Sequence, residues 1–161
     1  MNASRLATVA ITSGLLAFAT SGAAQAAGPL SVFAGNWSGA GTISVDNGSR
    51  ERIRCRANNK ADDKSLSLNL RCASDSYKFE FASDVASDGG NISGSWNENV
   101  RGVFGQLAGK VSGGRIQATA SAIGVSASVG VTAHGNGLTV LIRSPGSEIS
   151  EVAISMSRAG R

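Results

Sequence analysis

From Phe33 onward, apolar residues recur at every second position in one short segment after another, each bounded by Gly, Asn, Asp or Ser. A β-strand turns successive side chains to opposite faces, so this period belongs to half-buried strands and not to helices. Ile53, Cys55 and Ala57 share one face; Leu66, Leu68, Leu70 and Cys72 share the next; Tyr77, Phe79 and Phe81 follow. The same rule places Trp96, Leu107, Ala120, Val129, Val140 and Ile154 on inward faces further along. Asn47-Gly48 suits a type I′ hairpin turn, and loops are expected over 58–64 and 84–90. With 21 Gly and 2 Pro, the chain favours many short strands joined by tight turns.

About eight to ten strands follow from this pattern. Strands joined by short turns, with no helical crossover, are antiparallel neighbours, and so long a sheet closes or curls to remove its edges. The expected fold class is all-β: an antiparallel up-and-down meander closing into a barrel, with a two-sheet β-sandwich as the alternative.

Ahead of the strands, Arg5 precedes an apolar run from Leu6 to about Thr20, and small residues lead into Ala24, Gln25 and Ala26. This is the pattern of a cleavable export signal over residues 1–26, with an uncleaved anchor as the alternative. Residues 27–161 then form a single β-barrel domain, long enough to bury about two-thirds of its unfolded surface. No later stretch is apolar enough for a transmembrane helix. A periplasmic or secreted protein is expected. The formal charge of +4 falls to about +3 without Arg5, too mild to imply nucleic acid.

Cys55 and Cys72 both fall on inward faces of consecutive runs, and an exported chain meets an oxidising compartment. An antiparallel hairpin brings them opposite each other, so a disulfide is expected rather than a redox or metal pair, which would want CxxC spacing or more histidines.

The segment FAGNWSGAGTI, Phe33 to Ile43, carries a GxWxGxG core on Gly35, Trp37, Gly39 and Gly41. It resembles the first-strand motif of calycin-like barrels, the lipocalins and their relatives, and looks most like the nitrobindin type. The resemblance implies that Trp37 closes one barrel end while the glycines let the strand bend. Nitrobindin-type proteins bind haem through a late histidine, for which His134 is the sole candidate here. Alternation puts His134 on the polar face with Ser126, Ser128 and Thr132, beside Gly135, Asn136 and Gly137, so an exposed turn histidine is expected instead. A looser likeness is to the bacterial metalloprotease inhibitors, small exported barrels with one disulfide that insert a free mature N-terminus into the protease. The matching segment is Ala27, Gly28, Pro29, Leu30.

Catalytic chemistry finds little support. No GxSxG element occurs, Asp62 and Asp63 read as a solvated turn, and Asp84 and Asp88 lack the ligand spacing of an EF-hand. Gly109 to Gly114 lacks the spacing of a phosphate loop. No cofactor or metal is expected, and the chain is expected not to be an enzyme.

Two features point to binding. The inward positions from Ile92 to Ala133 are rich in Gly, Ala and Val, which leaves room for a small apolar ligand contacting Trp96, Leu107, Val129 and Val140. If the walls approach instead, that room disappears. The second feature is an outward basic row, Arg50, Arg52, Arg54 and Arg56, to which Arg71 and Lys78 add. Like charges side by side cost stability unless a partner offsets them, and an anionic envelope polymer would do so, although arginines also keep strands soluble.

Overall fold

The computed structural model describes residues 27–160, so the signal segment proposed for residues 1–26 lies outside it. Ten strands run in chain order: β1 (Gly35–Val45), β2 (Arg50–Ala61), β3 (Ser65–Ala73), β4 (Lys78–Asp88) and β5 (Asn91–Glu98). They continue as β6 (Val103–Ser112), β7 (Arg115–Ala122), β8 (Val125–His134), β9 (Gly137–Arg143) and β10 (Ile149–Arg158). Each pairs antiparallel with the one before it, and β10 returns to β1, with Trp37 opposite Arg158 and Ile43 opposite Val152. The ladder closes into a barrel, which rules out the β-sandwich. Closure leaves no strand edge to template aggregation.

Two expected loops are strands for most of their length. Asn58 pairs with Asn69 and Asn59 with Leu68, so β2 runs on to Ala61. The turn is confined to Asp62–Lys64, where Asp62 Oδ1 accepts the backbone N–H groups of Lys64 and Ser65. Likewise β4 continues through Asp84, opposite Ser95, to Asp88, and only Gly89 and Gly90 turn. The ladder partners override the low strand propensity of these short polar residues. The Asn47-Gly48 turn also differs from expectation. Only Gly48 has a positive φ, 85°, and its N–H donates to Val45 O, so a type I turn followed by a left-handed glycine replaces type I′.

Antiparallel order puts the turns at 62–64, 89–90, 113–114 and 135–136 at one end, together with a short 3-10 turn, Ser31–Phe33. That end is shut. Leu30, Phe33 and Trp37 are at most 1% exposed, and each large apolar side chain so buried contributes roughly 1.5–3 kcal/mol. Phe33 O accepts from Trp37 Nε1 at 3.2 Å and from Asn59 Nδ2 at 3.1 Å, which ties the 3-10 turn to β1 and β2. Arg158 lies over the Trp37 ring, 4.3 Å from its centroid, and its Nη1 donates to Ala34 O. Trp37 thus occupies the closed end. At Gly39 a Cβ would come within 2.0 Å of Ser155 O, so close an approach of β10 that no side chain fits.

The N-terminal segment is tied down, contrary to what an inhibitor-like insertion requires. Gly28 N–H donates to Asp63 Oδ1 at 2.6 Å, and Leu30 is fully buried.

The expected disulfide is present. Cys55 and Cys72 face each other across β2 and β3, with Cα atoms 4.1 Å apart, inside the barrel wall. Among the described residues no helix is long and apolar enough to cross a membrane.

Candidate ligand cavity

The inward side chains do not meet at the barrel axis. A cavity of about 340 Å³ runs from the closed end toward the opposite rim. Near the closed end its walls are Leu66, Leu138, Met156 and Asn59; midway they are Phe81, Trp96, Leu107, Val129 and Val140. At the rim stand Glu98, Arg101, Val103, Val125, Ser144 and Glu148. The four residues expected to contact a ligand, Trp96, Leu107, Val129 and Val140, therefore line one space.

Of the small inward residues that composition pointed to, alanines and valines border the room and the glycines do not. Gly105 and Gly109 point inward on β6, yet neither lines the cavity, and a Cβ on either would strike the β7 backbone at Ser121 O or Gln117 O. Their missing side chains let β6 and β7 approach closely. Space comes instead from small but present side chains, Ala57, Ala120 and Ala127, facing larger ones across the barrel.

On β4 the rings of Phe79 and Phe81 lie with near-parallel planes and centroids 6.1 Å apart, and Tyr77 continues the row, its centroid 6.3 Å from that of Phe79. Arg101 lies 4.8 Å over the Phe79 ring and its Nη1 donates to Lys78 O at 3.2 Å. The guanidinium is thereby held at the rim. Its partner, Glu98, is buried and saturated. Oε1 accepts the N–H groups of Glu80 and Val100, and Oε2 accepts from Arg101 N–H and Nη1. Burial pushes the Glu98 carboxyl up, but these hydrogen bonds outweigh it and hold the pKa below its ordinary value of 4.5. With Glu98, Arg101 and Glu148 the charges on the cavity wall, the rim carries no surplus of positive charge to attract an anionic head group.

Asn59 and Glu98 are the two buried polar side chains of the described residues. Sequence reasoning missed both, although each continues an inward period: Ile53, Cys55, Ala57, Asn59 on β2 and Ile92, Gly94, Trp96, Glu98 on β5. Asn59 Nδ2 is committed to Phe33 O, which fixes the amide orientation and leaves Oδ1 buried with no partner.

The basic residues lie on the outside. Arg50, Arg52, Arg54 and Arg56 alternate along β2, Arg71 sits directly opposite Arg56, and Lys78 is one strand beyond, opposite Ala73. All six are exposed. His134 ends β8 at the closed end, exposed, and does not line the cavity, so the structure gives it no place as a ligand to a group bound inside.

No protein-family model matches the sequence, and no curated protein matches it. Solved structures share the fold. Rv2717c from M. tuberculosis superposes with a TM-score of 0.63 at 13% identity, over 81% of this chain and 94% of that one. The S-type phycobiliprotein lyase CPES from Guillardia theta superposes with a TM-score of 0.51 at 9% identity, over 81% of this chain and 90% of that one. Such identities show a common barrel and nothing finer. They do correct one expectation: a barrel of this kind serves a lyase, so the reading of this chain as not an enzyme loses its ground.

Proposed function

We propose that this chain is an exported, calycin-like barrel that takes up a small, largely apolar ligand in its interior. One observation carries the reading: the cavity of about 340 Å³ is continuous and walled almost wholly by Leu, Ile, Val, Ala, Phe and Trp side chains. Tight packing is the rule in protein interiors, and a retained apolar cavity with a few convergent polar groups is the usual form of a ligand site. Neutral, elongated molecules suit it, because the rim charges balance to no net positive value. A hydrogen-bond donor on the ligand would suit the closed end, where Asn59 Oδ1 lacks a partner. The disulfide supports a periplasmic or secreted location, since such bonds persist in oxidising compartments.

Native mass spectrometry of protein purified from its own envelope is expected to show a co-purifying apolar small molecule. A fluorescent fatty amide or alcohol probe is expected to bind the stripped protein. The double variant Ala120→Leu with Ala127→Leu fills the cavity and should lower probe affinity at least tenfold while the protein stays folded. Unchanged affinity in the folded, filled variant would overturn the reading.

A further inference from the structure

The outer face of β1 to β4 carries a second feature that the cavity does not use. Arg50, Arg52, Arg54 and Arg56 project from β2 at alternate positions, so neighbouring guanidinium stems start about 7 Å apart in a row of about 20 Å. Arg56 faces Arg71 across the ladder, a like-charge pair that costs stability. Acidic side chains do not neutralise the row. The salt bridges of the described residues are Lys78–Glu80, Arg101–Glu98 and Arg143–Glu151, and none includes these five arginines. Glu80, opposite Arg71, is engaged by Lys78 at 3.5 Å, and Glu51 accepts the Ser76 N–H.

The flanks of the row are as informative. On β1, Ser38, Ala40, Thr42 and Ser44 pair with Arg56, Arg54, Arg52 and Arg50, so the arginines stand beside a low shelf of small side chains. One register step toward the closed end, Asn36, Asn58 and Asn69 form a cross-strand row of amides. A concavity on this face is walled by Arg54, Arg56, Asn58, Asn69 and Arg71, with the Lys78–Glu80 ion pair at its margin, so its surplus charge is that of the arginines.

We propose that this face binds a linear acidic polysaccharide. Guanidinium forks pair with carboxylate, sulfate or phosphate groups, and asparagine amides offer a donor and an acceptor to sugar hydroxyls. A long, narrow row beside a shelf fits an extended polymer. A bilayer surface fits less well, because membrane docking sets apolar side chains among the cations. The most exposed large apolar residues, Phe104 at 78% and the fully exposed Ile123, lie on β6 and in the β7–β8 turn, away from this face. Single-stranded nucleic acid is disfavoured too, since it is held by stacking aromatics, and every outward position of β1 to β4 is non-aromatic.

The test is calorimetry of the full mature protein with alginate and dextran sulfate, against neutral dextran, phosphatidylglycerol vesicles and a single-stranded oligonucleotide. Salt-dependent binding of an acidic polysaccharide, and none of neutral dextran, is expected. Arg54→Glu with Arg56→Glu should weaken it at least tenfold. Lys110→Glu with Arg115→Glu changes net charge equally on β6 and β7 and should weaken it less than threefold. Arg54→Gln with Arg56→Gln, which adds no negative charge, should fall between, and thermal melting verifies that each variant is folded. Equal losses in the two reversal pairs, tighter binding to vesicles or oligonucleotide, or no polysaccharide binding at all would overturn the proposal. None of these outcomes touches the interior cavity.

Discussion

The wall from β1 to β4 and the wall from β6 to β8 use the same antiparallel ladder and are built from opposite materials. The first has strands of 9 to 12 residues, the disulfide, the stacked rings of Phe79 and Phe81, and Trp37 fastened beneath the 3-10 turn. The second has strands of 8 to 10 residues whose inward positions are mostly small, Gly105, Gly109, Ala118, Ala120, Ala127 and Ala133, beside valines, Ile116 and Leu107. Large inward side chains and a cross-link set the barrel's shape on one side. Small ones set its capacity on the other. The outer faces follow the same division, since the arginine row stands on the cross-linked wall, whose rigidity keeps like charges at a fixed spacing.

The comparison breaks most sharply at Trp37. Truncating a fully buried aromatic removes its transfer free energy and leaves a void, so Trp37→Ala should cost about 4 kcal/mol. Leu107→Ala, on the thin wall and already bordering the cavity, should cost about 2 kcal/mol, because part of the void is there before the mutation. Urea unfolding measures both. Equal costs would show that stability is spread evenly around the barrel. Next in size is the cross-link, which joins positions 17 residues apart. Cys55→Ala with Cys72→Ala should lower stability by about 3 kcal/mol from unfolded-chain entropy. Hydrogen exchange should then quicken in β2 and β3 before it does in β7 and β8.

How far this division could be read in advance depended on which residues obeyed alternation. Leu66 to Cys72 and Val125 to Ala133 show the inward period without interruption, and their faces, the barrel and the Cys55–Cys72 register all follow from it. Asn58, Asn59 and Lys60 hid the end of β2, because three polar residues in a row mimic a loop. Asp84, Ser87 and Asp88, leading into Gly89 and Gly90, hid the end of β4 by the same turn-like polarity. Polar residues on an inward beat, Asn59 and Glu98, acquire meaning only when the chain folds back a donor or acceptor from elsewhere, as Phe33 O and the Glu80 N–H do. The closing segment from Leu30 to Phe33 precedes the first period and carries no alternation of its own. Gly105 and Gly109 misled for a different reason: an absent side chain reads as empty space until a neighbouring backbone is seen to fill it.

The smallest effect sharpens the boundary between the two walls. Glu98 closes β5 at the rim and accepts the Glu80 N–H of β4, so its carboxylate joins the cross-linked wall to the start of the thin one. Glu98→Gln turns one oxygen into a donor facing other donors and should cost about 1 kcal/mol near neutral pH. The carboxyl's folded pKa lies below its ordinary 4.5, so its contribution is present above that value and is lost as pH falls through the folded pKa. Thermal melting of wild type and Glu98→Gln should therefore differ most at pH 6 to 7 and converge as pH falls below 4.5 and through the folded pKa. The exposed carboxyls of Glu51 and Asp62 are also held low, by hydrogen bonds from Ser74 and from the Lys64 backbone first of all, but they titrate alike in both proteins and cancel in the difference. A gap that stays undiminished at every pH below 4.5 at which both proteins still fold would mean that the side chain acts by shape alone, and that the two walls meet at the rim without an electrostatic fastening.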